Sequence, residues 1–137
     1  MSLKDQLESV RRRIQAACQR CGRHPSSVTL IAVTKGVSLE RMQAAMAAGL
    51  TDVGENRVQE ARQKQDALGS RLEAPGSSLQ PPASSLQPIR WHLIGDLQRN
   101  KAKHAVELFD LIHSVDSHPL IEELERHAAK QARGSRL

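Results

Sequence analysis

Aromatic rings are almost missing from this chain. Of its 137 residues, only Trp91 and Phe109 belong to the Phe/Tyr/Trp set, and tyrosine is absent altogether. A core must therefore be packed from Leu, Ile, Val, Ala and Met, and a stacking surface for single-stranded bases is poorly supported. Cysteine is scarce too: Cys18 and Cys21 form one Cys-Gln-Arg-Cys group. A structural zinc site needs four ligands, no second Cys pair exists, and the histidines stand at unsuitable spacing. A thioredoxin-like redox pair would follow a strand, whereas this pair ends a helical pattern, so free thiols in a reducing compartment are expected. Long apolar runs are absent, and the first residues lack the apolar stretch of a signal peptide. The expected location is the cytoplasm, with no membrane partner.

The residues that are present describe one domain over 1–137, with 39% hydrophobic content and a net charge of +5. Much of the positive excess lies near the start, in Lys4, Arg11, Arg12, Arg13, Arg20 and Arg23. Such a balance can attract nucleic acid, an anionic surface or a phosphorylated small molecule, but a solvated helix face is the commoner case. Nucleic acid is not an expected partner.

Apolar positions at helical spacing predict an amphipathic helix over residues 3–20 (Leu3, Leu7, Val10, Ile14, Ala17, Cys18), closed by Cys21-Gly22. Four strand–helix units are then expected. Val28–Val33 is the first strand, and Ser38 caps the helix after it. Thr51–Gly54 is the second strand, followed by a polar helix from Val58 to Leu68 that carries Glu60, Arg62 and Lys64. Residues 69–88 hold a duplicated Ser-Ser-Leu-Gln-Pro and read as a flexible insertion. Ile89–Ile94 and Leu111–Val115 are the third and fourth strands, and a last helix starts near Pro119. Repeated βα units imply a parallel sheet with right-handed crossovers, either a small open sheet or half of an eightfold barrel.

The stretch Val28-Thr-Leu-Ile-Ala-Val-Thr-Lys35-Gly36 carries the clearest chemical signal. Its apolar run suits a strand buried on both faces, and such strands present chemistry at their C-terminal ends. Partial desolvation there lowers an amine's pKa and makes it nucleophilic toward aldehydes, which points to a Schiff base on Lys35. A solvated lysine at a strand end is the plainer alternative. Asn56, His92, Gly95 and Asp116 fall at or near the same ends of the other three strands. Asn56 serves equally as a helix cap, His92 as a core histidine, and Asp116 more readily as a cap than as an acid or base. No metal site, Ser-His-Asp set, paired-carboxylate site or phosphate-binding P-loop is recognisable.

Three ordered blocks carry a family resemblance: Ala32-Val-Thr-Lys35, Gly54-Glu-Asn-Arg-Val-Gln-Glu60, and Trp91-His-Leu-Ile-Gly-Asp-Leu-Gln-Arg-Asn-Lys101. Together they resemble the pyridoxal phosphate (PLP) homeostasis family, whose members have an alanine-racemase-like barrel. The resemblance implies a (β/α)8 TIM-type fold, with PLP at the C-terminal mouth as a Schiff base on Lys35. It places Asn56 beside the cofactor ring, and His92 and Gly95 near the same site. It implies a role in vitamin B6 homeostasis without established catalysis, and a monomer. The matched blocks end where such a barrel is half built, so the chain is expected to be a truncated form. Its affinity is expected to suffer, because the family's phosphate cup belongs to the other half. Exposed sheet edges would then favour self-association. Two rival readings are a PLP-dependent racemase-like enzyme, which needs a second acid–base residue that cannot be assigned, and an interaction fragment that binds no cofactor.

Overall fold

A computed structural model of the chain describes residues 2–72 and 89–131. Helix α1 spans Leu3–Cys21 and starts at a reciprocal cap, in which Ser2 Oγ accepts from the Asp5 N–H and the Asp5 carboxylate accepts from the Ser2 N–H. Gly22 ends it in the left-handed region at φ 71°. A short 3-10 turn, Pro25–Ser27, leads to strand β1, Ala32–Val33. Then come α2 (Leu39–Ala47), β2 (Asp52–Glu55), α3 (Val58–Leu72), β3 (Arg90–Leu93), a 3-10 turn at Arg99–Lys101, α4 (Ala102–Leu108), β4 (Leu111–Ile112) and α5 (His118–Gln131). Ser38 caps α2 as expected, accepting from the Arg41 N–H at 3.3 Å. Arg11 of α1 reaches across to donate to the Gly49 carbonyl after α2, at 2.7 Å. The neighbouring arginines Arg12 and Arg13 are exposed, as a solvated helix face requires.

The four strands form one parallel sheet in chain order, β1-β2-β3-β4. Val33 pairs with Gly54, Gly54 with His92, and His92 with Leu111. Side chains alternate across a strand, so this register assigns each residue to a face. Val53, Trp91 and Leu93 lie on one face and are buried with Met42, Ala61, Ala105, Leu120 and Leu124 from the helices. On the opposite face, Asp52, Gly54 and His92 are buried at the centre, but Val33 is 50% exposed and Leu111 42% exposed.

Four expectations are corrected. The first strand is not buried on both faces: the ladder covers only Ala32–Val33, and Val28 is exposed along with Val33. The ladder is short because β1 is an edge strand with a neighbour on one side only, and Val33 is exposed because no layer among the described residues covers that end of its face. The other edge strand, β4, is likewise shorter than Leu111–Val115. Helix α3 runs on to Leu72, four residues beyond its expected end at Leu68; residues 73–88 lie outside the described part. Finally, Ser117 rather than Asp116 caps α5, its Oγ accepting from the Leu120 N–H at 3.3 Å.

Candidate functional site at the C-terminal edge of the sheet

Lys35 follows directly on the last laddered residue of the first unit. The Thr34 N–H still donates to the Gly54 carbonyl at 2.9 Å, which continues the parallel ladder by one residue. Thr34 is buried, and its hydroxyl donates to Glu55 Oε1 at 2.7 Å on the helix-covered side. Alternation then assigns Lys35 to the opposite side, with Val33. Lys35 is exposed, and among the described residues its amine has no hydrogen bond or ion pair. The expected partial burial of this lysine is therefore not found. The physical reason is the one that exposes Val33: that end of the open face has no covering layer among the described residues.

Two other candidates do meet. A Cβ built on Gly95 would stand 2.5 Å from the Asn56 carbonyl oxygen, 2.9 Å from Asn56 Cα and 3.0 Å from its Cβ. The loops after β2 and β3 therefore touch backbone to backbone at the edge where Lys35 also lies, and glycine is the residue that permits it. Gly95→Ala is expected to destabilise the fold by about 1–3 kcal/mol through this overlap. Urea denaturation checks this, and a variant as stable as wild type would contradict the close approach.

His92 is committed elsewhere. Its Nε2 lies 2.7 Å from Asp52 Oδ2 and its Nδ1 lies 2.8 Å from His113 Nε2, with the two imidazoles stacked at 5.1 Å between centroids. Asp52 also accepts from Thr51 Oγ1 at 2.7 Å and pairs with Arg90 Nε at 3.0 Å. Burial pushes the Asp52 carboxyl upward, but the bonds from Thr51, His92 and Arg90 outweigh it and hold the group below its ordinary value. Asp52 stands two residues before Gly54, the residue that His92 faces across the ladder. The His92 bond to Asp52 thus runs back along the sheet, away from the edge that carries Lys35, Asn56 and Gly95.

The sequence reading missed the most constrained charges near Lys35. Lys64 of α3 is 8% exposed and Glu55 is fully buried. Lys64 Nζ donates to Glu55 Oε1 at 2.5 Å and to the Thr34 carbonyl, and lies 3.4 Å from Glu60 Oε1. Glu60 Oε1 in turn accepts from the Gly36 N–H at 2.9 Å. That bond, partly offset by burial and reinforced by Lys64, holds the Glu60 carboxyl below its usual value. The Glu60/Lys64 spacing of one helical turn was visible in the sequence. That both residues bond the backbone on either side of Lys35 was not.

No family model matches the chain. Curated relatives do. A pyridoxal phosphate homeostasis protein of Synechocystis is 41% identical over 104 residues, covering 76% of this chain and 41% of its own length. One of Aquifex aeolicus is 35% identical over 130 residues, covering 95% of this chain and 50% of its own length. Over the length it spans, the chain is similar to the pyridoxal phosphate homeostasis proteins. It spans about half the length of the curated homeostasis proteins that it matches. Among solved structures, PipY of Synechococcus elongatus with PLP bound superposes at a TM-score of 0.65 with 42% identity, over 88% of this chain and 50% of PipY. The four βα units correspond to the N-terminal part of the TIM-type barrel of these proteins. PipY was solved with PLP bound, and the curated relatives are named for pyridoxal phosphate. Among the described residues, no helix is long and apolar enough to cross a membrane.

Proposed function

We propose that this chain takes part in intracellular PLP homeostasis and that Lys35 is the amine that carries PLP. The observation that supports it most is chemical: a lysine amine free of ion pairs among the described residues, at the C-terminal edge of a parallel sheet, in a chain 42% identical to a protein solved with PLP. The donor set suits the aldehyde end of the cofactor. PLP supplies an aldehyde; the Lys35 Nζ lone pair adds to its carbon, one water leaves, and a C=N bond remains. Asn56 and Gly95, packed together at the same edge, are the proposed neighbours of the ring. His92, tied to Asp52 and His113, is proposed to act from a distance by holding β2, β3 and the chain after β4 in place. The function is holding PLP rather than turning over a substrate.

Titrating wild type and Lys35→Ala with PLP and recording the visible imine absorbance tests this. Wild type is expected to develop the band saturably and Lys35→Ala to lose nearly all of it. Equal bands in both would place PLP on other amines and end the assignment.

A further inference from the structure

Lys35 is flanked by two backbone groups that one helix holds. On the N-terminal side, the Thr34 carbonyl accepts from the Lys64 ammonium. On the C-terminal side, the Gly36 N–H donates to Glu60 Oε1 at 2.9 Å. The two holding side chains are four residues apart on α3 and stand 3.4 Å from each other. We propose that Glu60, steadied by Lys64, is a positioning residue: by tethering the Gly36 N–H it fixes the turn from which Lys35 projects and so sets how readily that amine meets the PLP aldehyde.

The argument is geometric. Among the described residues nothing holds the Lys35 side chain at its tip, so its direction is set by the backbone of Thr34, Lys35 and Gly36. Gly36 sits at φ 68°, and a Cβ on it would meet nothing within 4 Å. The left-handed turn is therefore not enforced by packing around that glycine, and glycine itself enters both halves of φ space freely. The turn is closed by its own bond from the Val37 N–H to the Thr34 carbonyl at 3.0 Å, and the Glu60 carboxylate adds a charge-assisted bond to the Gly36 N–H that favours the left-handed state at its centre. Glu60 reaches this position because Lys64 holds it, and Lys64 is anchored in turn by the buried Glu55 and the Thr34 carbonyl. Misplacing a reacting group by even an ångström can cost a large factor in its effectiveness. The Glu60 side chain is 29% exposed, and removing it leaves the Lys64–Glu55 pair intact. Its loss therefore disturbs the turn without leaving a buried charge alone. This inference rests on Lys35 being the carrier.

The test uses the full chain in four versions: wild type, Glu60→Ala, Glu60→Gln and Lys35→Ala. Each is incubated with graded PLP, the imine is reduced with borohydride, and the modified lysines are mapped by mass spectrometry. Glu60→Ala is expected to raise the PLP concentration that half-modifies Lys35 about tenfold, the factor that the loss of one charged hydrogen bond supplies. Glu60→Gln keeps a carbonyl oxygen for the Gly36 N–H and is expected to stay within about threefold of wild type. Modification of Lys4, Lys101 and Lys103 is expected to be the same in all four, and Lys64 to remain unmodified while the fold is intact. An unchanged Lys35 response in Glu60→Ala overturns the positioning role, as does a Gln variant as impaired as the Ala variant. Wild type with no modification at Lys35 removes the carrier assignment itself, a result the mapping separates from the other two.

Discussion

Lys64→Met is expected to destabilise the fold by about 3–5 kcal/mol, the range for removing one partner of a buried ion pair. The fully buried Glu55 would keep only the Thr34 hydroxyl on Oε1, and its Oε2 has no partner among the described residues. The carboxyl must then take a proton or draw water into the space between β2 and α3. The Thr34 carbonyl loses its bond from the ammonium as well. If this account is right, Lys64→Met combined with Glu55→Gln recovers a large part of the loss, because the stranded charge is gone. The exposed pair between Arg62 and Glu107 at 3.7 Å, with side chains 44% and 36% exposed, sets the contrast. Breaking that pair is expected to cost no more than about 1 kcal/mol. Urea denaturation of these three variants beside wild type measures both effects. A Lys64→Met loss as small as the surface pair's would mean that water reaches the pair.

Asp52 is expected to give the fold its steepest acid dependence. Burial pushes its carboxyl up, yet the bonds from Thr51, His92 and Arg90 hold it below its ordinary value of 3.8. A group whose value is depressed by folding contributes stability that is complete above the unfolded value and is lost as pH falls through the folded one. The loss therefore begins below about pH 4 and continues downward, as native Asp52 takes up its proton. Asp5, Glu60 and Glu123 are held low as well, but Asp5 and Glu123 lie at or near the surface and add little. Asp52→Asn is expected to cost about 2–4 kcal/mol at neutral pH, since an amide cannot match the charge-assisted bonds to Arg90 and His92. It is also expected to flatten the acid arm of the stability curve. Denaturation at a series of pH values between neutrality and pH 3 checks both; an unchanged acid arm in the variant would assign the dependence to other carboxylates.

The periodicity of the chain already contained the element order. Leu3, Leu7, Ile14 and Cys18 mark the inner side of α1, Ser38 marks the start of α2, and the apolar cores of β2 and β3 stand in short runs between helical patterns. These are local signals, and local hydrogen bonding and burial honour them. The edge strands are shorter than their apolar runs, because periodicity does not record whether a neighbouring strand exists. Val28, Val33 and Val115 are as apolar as any strand residue, yet each is exposed.

The candidate site divides in the same way. That Lys35, Asn56 and Gly95 gather at one end of the sheet follows from their places at strand ends, and a repeated βα pattern brings such ends to one side. Sequence alone determined that much: four parallel units, their common edge, and an amine-bearing residue on it. Tertiary structure decided which charges are buried and what they hold. It took His92 away from the edge to bond Asp52 and His113, left Lys35 in solvent, and set Lys64 between Glu55, Glu60 and the Thr34 carbonyl. The physical reason is that desolvation and pairing depend on which groups meet across tens of residues, and no local pattern carries that information.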